Sequence, residues 1–224
     1  MSNLRTGTYG EYYGSYWGQS APLTQSQMEV SAFYIYSALS DAGWTPEAIS
    51  GLLGNMQHES YLNPGQCQIG SGTSISSKSG GGLIQWTPRS DFIAWCTARG
   101  RSWYDGYYQC YRIRCEGEGR DGCSGYWLKK GEYQYSWSEF CQLTDYEEAC
   151  KAYLAERERA GVAALSTRLA YAENWYNFIN GGVPIPTPPP SPDPPDPRPY
   201  DIGFIKLGGA RDLMRRGVIS NGKL

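Results

Sequence analysis

The sequence predicts an α+β domain that is mainly helical, and three observations support this prediction. Apolar residues recur at helical spacing in several segments, most clearly at Ile49, Leu52, Leu53 and Met56. Helix-start signals precede these segments, and only one short apolar run, Leu83–Trp86, is typical of a strand. The chain has 224 residues, which is enough for one domain of ordinary size with appendages.

The composition excludes some classes of partner. Lys and Arg number 20 against 22 Asp and Glu, a formal net charge of −2, whereas a nucleic-acid-binding protein needs a basic excess to neutralise phosphates. No stretch approaches the ~20 apolar residues that a membrane-spanning helix requires, and the first twenty residues lack the apolar core of a secretory signal. Aromatic residues make up 14% of the chain, and such amphipathic rings suit carbohydrate or protein surfaces.

Composition also divides the chain into four parts. We expect residues 1–23, rich in Tyr and Gly, to form an extended arm, and residues 24–182 to form the folded domain. Residues 183–199 contain ten of the fourteen prolines and therefore predict a semi-rigid polyproline II linker. Residues 200–224 form a short basic tail, which together with the arm we interpret as an attachment device.

Two helices open the domain. Thr24 and Gln27 form a capping box for the first, and Gly43 lies just past its end. Thr45 is the predicted N-cap of the second, with Pro46 at its first helical position.

The remaining elements are less regular in sequence. After a Gly/Ser-rich loop at 65–82, Leu83–Trp86 is the predicted strand of a small β-hairpin or sheet. Thr144 and Glu147 predict a second capping box at the start of a helix that reaches about residue 160. The other predicted helices span 91–99 (after Ser90 as cap), about 105–114, about 133–143, and 167–179.

Glu59 is the most informative residue of the second helix. On a helical wheel it lies on the shoulder of the apolar stripe, on the same side as Asn55, whereas His58 points away from the core. Partial burial and the negative end of the helix dipole both disfavour a carboxylate. We therefore expect Glu59 to hold a proton more readily than an exposed Glu, as a general acid must.

The motifs around this residue resemble those of the phage tail-associated lysozymes, members of the lysozyme-like superfamily. The similar segments are Gly51–Ser60 (GLLGNMQHES), Asn63–Pro64 and Gly81–Pro88 (GGLIQWTP), with weaker similarity at Gln109, Glu156–Arg157, Arg168 and Trp175. In that superfamily a helix ending in Glu-Ser precedes a small β-element and a Gly-Leu-x-Gln segment that lines the sugar groove. The resemblance implies a lysozyme-like domain over about residues 24–180.

The resemblance also implies roles for individual residues. Glu59 would protonate the glycosidic oxygen between N-acetylmuramic acid and N-acetylglucosamine. Gln85 and Trp86 would face the groove, one as a hydrogen-bonding group and the other as a flat platform for sugar, although Trp86 could equally be a core residue. Asn55 would either contact sugar or orient Glu59.

Most glycosidases use a second carboxylate, and the sequence offers two candidates. Asp91 follows the predicted strand, and Glu156 lies on a later helix. Each has a structural alternative, in the first turn of a helix for Asp91 and in an ion pair for Glu156. Some members of the superfamily work with a single Glu, so hydrolase and lytic transglycosylase both stay open.

The seven cysteines and the single histidine suggest other chemistry only weakly. Cys115 and Cys123 bracket a Gly-rich loop and could close it with a disulfide. No CxxC pair accompanies the lone histidine, so zinc is not expected, and neither is any cofactor. A Cys–His peptidase would need His58 beside a cysteine, yet the helical wheel turns it outward.

The function expected from these features is a muramidase carried on the phage tail, made in the host cytoplasm and acting on the external wall. Its partners would be bacterial peptidoglycan and other proteins of the phage tail. The latter would be bound through the N-terminal arm and the basic C-terminal segment, and no nucleic acid is expected. The alternatives are an endolysin that acts at lysis and a non-catalytic wall-binding protein.

Overall fold

The computed structural model of the chain describes residues 23–74, 76–123, 127, 132–158 and 164–181. The expected linker and tail lie outside these residues, and so does the expected arm apart from Leu23.

The described part of the chain is helical. Its elements are α1 (Gln25–Ser40), α2 (Pro46–Ser60), α3 (Arg89–Thr97), α4 (Gly106–Glu118), α5 (Trp137–Phe140), α6 (Tyr146–Tyr153), a π-helical turn (Leu154–Glu158) that continues α6, and α7 (Leu165–Asn180). The mainly helical prediction is confirmed, and the pattern is consistent with a lysozyme-like domain.

The predicted strand is wrong. Leu83–Trp86 forms turns, and within the described ranges β-pairing is limited to one isolated antiparallel bridge between Cys67 and Gly81. A side chain takes the place of a neighbouring strand here, since the backbone N–H of Leu83 donates to Gln109 Oε1 at 2.7 Å. A short apolar segment indicates burial but does not specify strand geometry. Leu83, Ile84 and Trp86 are indeed buried, and Gln85 is half-buried.

The helix-start signals vary in accuracy. Thr24 and Gln27 form the predicted capping box, and Thr45 Oγ1 accepts from the backbone N–H of Ala48 at 3.1 Å, so the starts of α1 and α2 are confirmed. At α6 the cap is Asp145 rather than Thr144, because the Asp145 carboxylate accepts from two backbone N–H groups of the first turn. Helix α3 begins one residue before its predicted cap Ser90, after Pro88.

Helix α2 is the centre of the fold, and two glycines allow its neighbours to approach closely. A Cβ atom at Gly51 would lie 2.5 Å from the backbone nitrogen of Cys150 on α6. One at Gly54 would lie 2.6 Å from the backbone oxygen of Arg168 on α7. Because backbone atoms occupy the space, these two positions hold α6 and α7 against the same helix that ends in Glu59.

A long loop, residues 65–82, is held in place by one buried arginine. Arg89, at the start of α3, is fully buried and donates to the backbone oxygens of Gly72, Ser74 and Gly80. These contacts give the terminal nitrogens of a buried charge their acceptors and hold the loop to the start of α3. None of the described helices has the length and hydropathy needed to cross a membrane.

Candidate functional site

An open cleft of about 660 Å³ lies where α2 ends. Its walls come from His58, Glu59 and Tyr61, from both ends of the 65–82 loop, from the turn at 84–88, from the start of α3, and from α4 and the π-helical turn. The cleft thus brings together the two motifs that sequence analysis linked, the Glu-Ser end of a helix and the Gly-Leu-Ile-Gln-Trp segment.

Glu59 is anchored by a buried arginine. The side chain of Glu59 is 21% exposed in the cleft and accepts a hydrogen bond from Arg168 Nη2, whose own side chain is 2% exposed. Arg168 Nη1 donates to Asn55 Oδ1 at 3.0 Å. The guanidinium group therefore donates one terminal N–H to a carboxylate and the other to an amide on the same face of α2. These two contacts fix the direction of the Glu59 carboxyl group.

The half-buried position of Glu59 on the shoulder of α2 is as predicted, and Arg168 is an ion-pair partner that the prediction did not include. Arg168 has no predicted role beyond its place in the weaker family similarity, because a partner 109 residues away leaves no local pattern.

Asn55 lies behind the cleft rather than in it. The residue is fully buried, and its Nδ2 donates to the backbone oxygens of Gly51 and Cys150 at 3.0 and 3.1 Å. With its Oδ1 accepting from Arg168, the amide has partners on both sides and no surface for sugar. Of the two expected roles, the structure favours orientation of Glu59 through Arg168.

Gln85 lines the cleft as predicted, whereas Trp86 is mainly a core residue. Gln85 is half-buried and its Nε2 donates to the backbone oxygen of Gly82 at 3.1 Å. Trp86 is 4% exposed, its ring stacks on Phe92 with centroids 4.2 Å apart, and its Nε1 donates to Glu116 at 2.7 Å. The indole therefore shapes the cleft wall and has little surface left for stacking on sugar.

Two polar side chains join this turn to the end of α2. Ser60 Oγ donates to the backbone oxygen of Leu83 at 2.8 Å. Gln109 accepts from the backbone N–H of Leu83 and donates to the backbone oxygen of Pro64 at 2.7 Å. The Ser of the Glu-Ser motif thus has a structural explanation, since it links the end of α2 to the turn that lines the cleft.

The candidate second carboxylates are placed differently. Asp91 lines the cleft but is exposed, in the first turn of α3. Glu156 is fully buried and is not among the cleft residues, so its place does not suit a group that acts on substrate. Glu158, which sequence analysis did not single out, lines the cleft beside Arg157. Glu156 and Glu158 both lie in the π-helical turn, and the geometry of that turn decides which of them reaches the cleft. No sequence pattern predicted the turn.

Sulfur chemistry is not favoured by the surroundings of the cysteines. All seven are free and buried, so the proposed Cys115–Cys123 disulfide is not formed. Cys67 lies in the cleft wall, but burial raises the pKa of its thiol, with Arg89 as an opposing influence. Burial also raises the pKa of Cys150 to about 12. Such thiols are protonated and poorly nucleophilic at neutral pH.

His58 is exposed at the cleft, as the helical wheel predicted. Partial desolvation and the charge of Arg168 lower its pKa, while Glu59 opposes them. The imidazole is therefore neutral near pH 7.

Within the described ranges no group of three or more His, Cys, Asp or Glu side chains is arranged to hold a metal ion.

Comparison with known proteins shows the family of the chain. A profile of the phage tail lysozyme family matches residues 31–179, which extend from within α1 to within α7. The chain therefore belongs to the phage tail lysozyme family.

One curated relative is Morphogenesis protein 1 of Bacillus phage B103. It is 32% identical over 168 residues, which are 74% of this chain and 44% of the relative. The chain thus matches less than half the length of that protein.

Proposed function

We propose that this protein is a muramidase that cleaves the β-1,4 bond between N-acetylmuramic acid and N-acetylglucosamine in peptidoglycan. The observation that supports this most strongly is Glu59, held by buried Arg168 at the wall of an open cleft in a chain of the phage tail lysozyme family. A glycan strand needs a cleft that is open to solvent, and the bond needs a carboxyl group that can reach the glycosidic oxygen.

Glu59 takes part in the proton transfers at the glycosidic bond, and Gln85 binds the acetamide or hydroxyl groups of a sugar in the cleft. Arg168 and Asn55 act as positioning residues, since both lie behind Glu59 and touch no open surface. A carboxyl group that is already held in the reactive orientation lowers the entropic part of the activation barrier and so increases the rate.

The test is degradation of purified cell walls, followed by turbidity and by the release of soluble fragments. The wild type clears walls, and Glu59→Gln, which keeps the shape of the side chain, clears them ~10²–10⁴-fold more slowly. Glu173→Gln is the matched control, because Glu173 is an exposed carboxyl group of α7 that lies outside the cleft. A folded wild type that binds walls without clearing them would favour the non-catalytic alternative.

We further propose that the protein acts from the virion, as part of the tail that opens the wall for genome delivery. The support is the description of the relative in phage B103 as a morphogenesis protein. Quantitative mass spectrometry of purified particles checks this: a fixed copy number per particle is expected, whereas absence from particles and accumulation before lysis would indicate an endolysin.

A further inference from the structure

Glu158 is a carboxyl group of the cleft that the proposed mechanism does not yet use. It is the last residue of the π-helical turn Leu154–Glu158 and lies in the wall of the same cleft as Glu59. Its Oε1 is enclosed and has no hydrogen-bond partner among the described residues. An enclosed carboxylate oxygen without a donor makes the charged form of the group less favourable.

The charges that face Glu158 come from four elements. Glu59 on α2 and Glu116 on α4 are negative, whereas Arg157 beside it and Arg168 on α7 are positive. Burial is the largest influence and Glu59 the second, and together they raise the pKa of Glu158 to about 7 against the opposing arginines. The positive charges are engaged elsewhere, since Arg157 donates to Glu116 at 2.8 Å and Arg168 donates to Glu59.

The two carboxyl groups of the cleft therefore have unlike surroundings. Glu59 accepts from a buried arginine, whereas Glu158 has an enclosed oxygen without a donor. Ionisation of either makes ionisation of the other less favourable. Pairs of acids whose surroundings separate them in this way divide the acid and base parts of a reaction.

We propose that Glu158 is the second catalytic carboxyl group of the cleft and that Glu59 and Glu158 together hold one working proton. This inference rests on the proposed glycosidase function. It assigns to Glu158 the part for which Asp91 and Glu156 were the candidates. At rest the proton lies mainly on Glu158.

This pair of carboxyl groups gives up one proton and accepts one proton in each reaction cycle. The protonated carboxyl group gives its proton to the glycosidic oxygen as the bond from that oxygen to the anomeric carbon breaks. Water then bonds to the anomeric carbon through its oxygen, and the ionised carboxylate accepts the proton that the water loses. The pair has lost one proton and regained one, so it returns to its starting state without any other reactant.

The first test is the pH dependence of wall degradation. The wild type should lose activity as pH rises through about 7, because the pair then loses its working proton. Glu158→Gln should degrade walls at least ~10²-fold more slowly at pH 6 and should lack this alkaline limb. The variant replaces a neutral acid by a neutral amide of the same size below pH 7, so its fold at pH 6 should be unchanged by circular dichroism.

Glu173→Gln, at an exposed position of α7 outside the cleft, serves as the matched control and should keep both the rate and the limb. A folded Glu158→Gln protein with the wild-type rate and the wild-type alkaline limb would overturn the proposal. A merely structural Glu158 would change the melting temperature and leave the pH profile in place.

The second test does not depend on activity. NMR of ¹³Cδ-labelled glutamate follows the titration of Glu158 in the wild type and in Glu59→Gln. Its apparent pKa should lie near 7 in the wild type and fall in the variant, since the negative charge of Glu59 is removed. Titration near 4.5 in both proteins would overturn the pairing even if walls are degraded. Conversely, a coupled titration in a protein that degrades no walls would count against the proposed function and not against the pairing.

Discussion

Arg168 on α7 and Glu59 at the end of α2 form an ion pair whose arginine is 2% exposed and whose carboxylate is 21% exposed. The arginine is thus part of the core, and the carboxylate faces the cleft. A buried charge of this kind is costly without hydrogen-bond partners, and here Asn55 and Glu59 accept from its two terminal nitrogens. The position of the carboxyl group is therefore set by the packing of two helices rather than by a mobile loop.

Replacement of Arg168 should damage both stability and activity. Arg168→Lys keeps the charge but cannot reach Asn55 and Glu59 together with one planar fork. We expect a loss of about 1–3 kcal/mol of unfolding free energy, since a buried acceptor loses its donor. We also expect a rate loss of about 10²-fold, because the carboxyl group is no longer held in one direction.

Arg114→Lys is the matched control for this change. Arg114 lies 3.8 Å from Glu118 in a partly exposed i,i+4 pair, and such surface pairs contribute about 0–1 kcal/mol. Thermal melts and wall-clearing rates measure both effects. An Arg168→Lys protein as stable and active as Arg114→Lys would show that the fork has no role in holding Glu59.

Gly54→Ala should separate α2 from α7. The added methyl group would lie 2.6 Å from the backbone oxygen of Arg168 and 2.8 Å from the backbone nitrogen of Ala172, so the helices must move apart. We expect a destabilisation of about 1–3 kcal/mol despite the better helix propensity of Ala, together with reduced activity. Asn174→Ala, at an exposed position of α7, should change neither. Unchanged melting of Gly54→Ala would mean that the two helices are not packed as closely as described.

The stability of the protein should depend on the ionisation of Glu158. Its pKa is raised by folding, so the stability it contributes is fully present below the unfolded value near 4.5 and is lost as pH rises through about 7. The unfolding free energy of the wild type should therefore include a decline of about 1–3 kcal/mol across that window, which Glu158→Gln should lack. Urea melts at pH 5 and pH 7.5 measure this difference. Glu173→Gln, at an exposed position, is the control and should follow the wild type; an identical slope in all three proteins would contradict the assignment.

Truncation after Gly182 should leave a folded and active domain. The last described helix, α7, ends at Asn180, and the family profile ends at residue 179. The proline-rich segment that follows has too few apolar residues to add to a core. A cooperative thermal melt and full wall-clearing activity are expected from the shortened protein. Loss of the cooperative transition would place residues beyond 182 within the fold.

Local patterns predicted the helices well and the site only in part. The capping box at Thr24 and the Thr45-Pro46 start were readable because each involves residues close in sequence. The position of Glu59 on the shoulder of its helix followed from the helical wheel in the same way.

Long-range relationships were not readable. The Leu83–Trp86 segment has the composition of a strand, but no neighbouring strand pairs with it among the described residues. The side chain of Gln109 instead accepts the hydrogen bond from the backbone N–H of Leu83. The choice between Glu156 and Glu158 depended on a π-helical turn, and the partner of Glu59 came from the last helix of the domain. Such contacts are decided by tertiary packing, which one sequence does not encode in any short window.

Mass spectrometry of the muropeptides released from purified cell walls tests the central claim most directly. The wild type should release fragments cut between N-acetylmuramic acid and N-acetylglucosamine, with reducing N-acetylmuramic acid ends if water attacks the anomeric carbon and 1,6-anhydro ends if the sugar's own hydroxyl does. Glu59→Gln should release almost none. Intact glycan strands with newly cut peptide or amide bonds, or release by Glu59→Gln at the wild-type rate, would contradict the account.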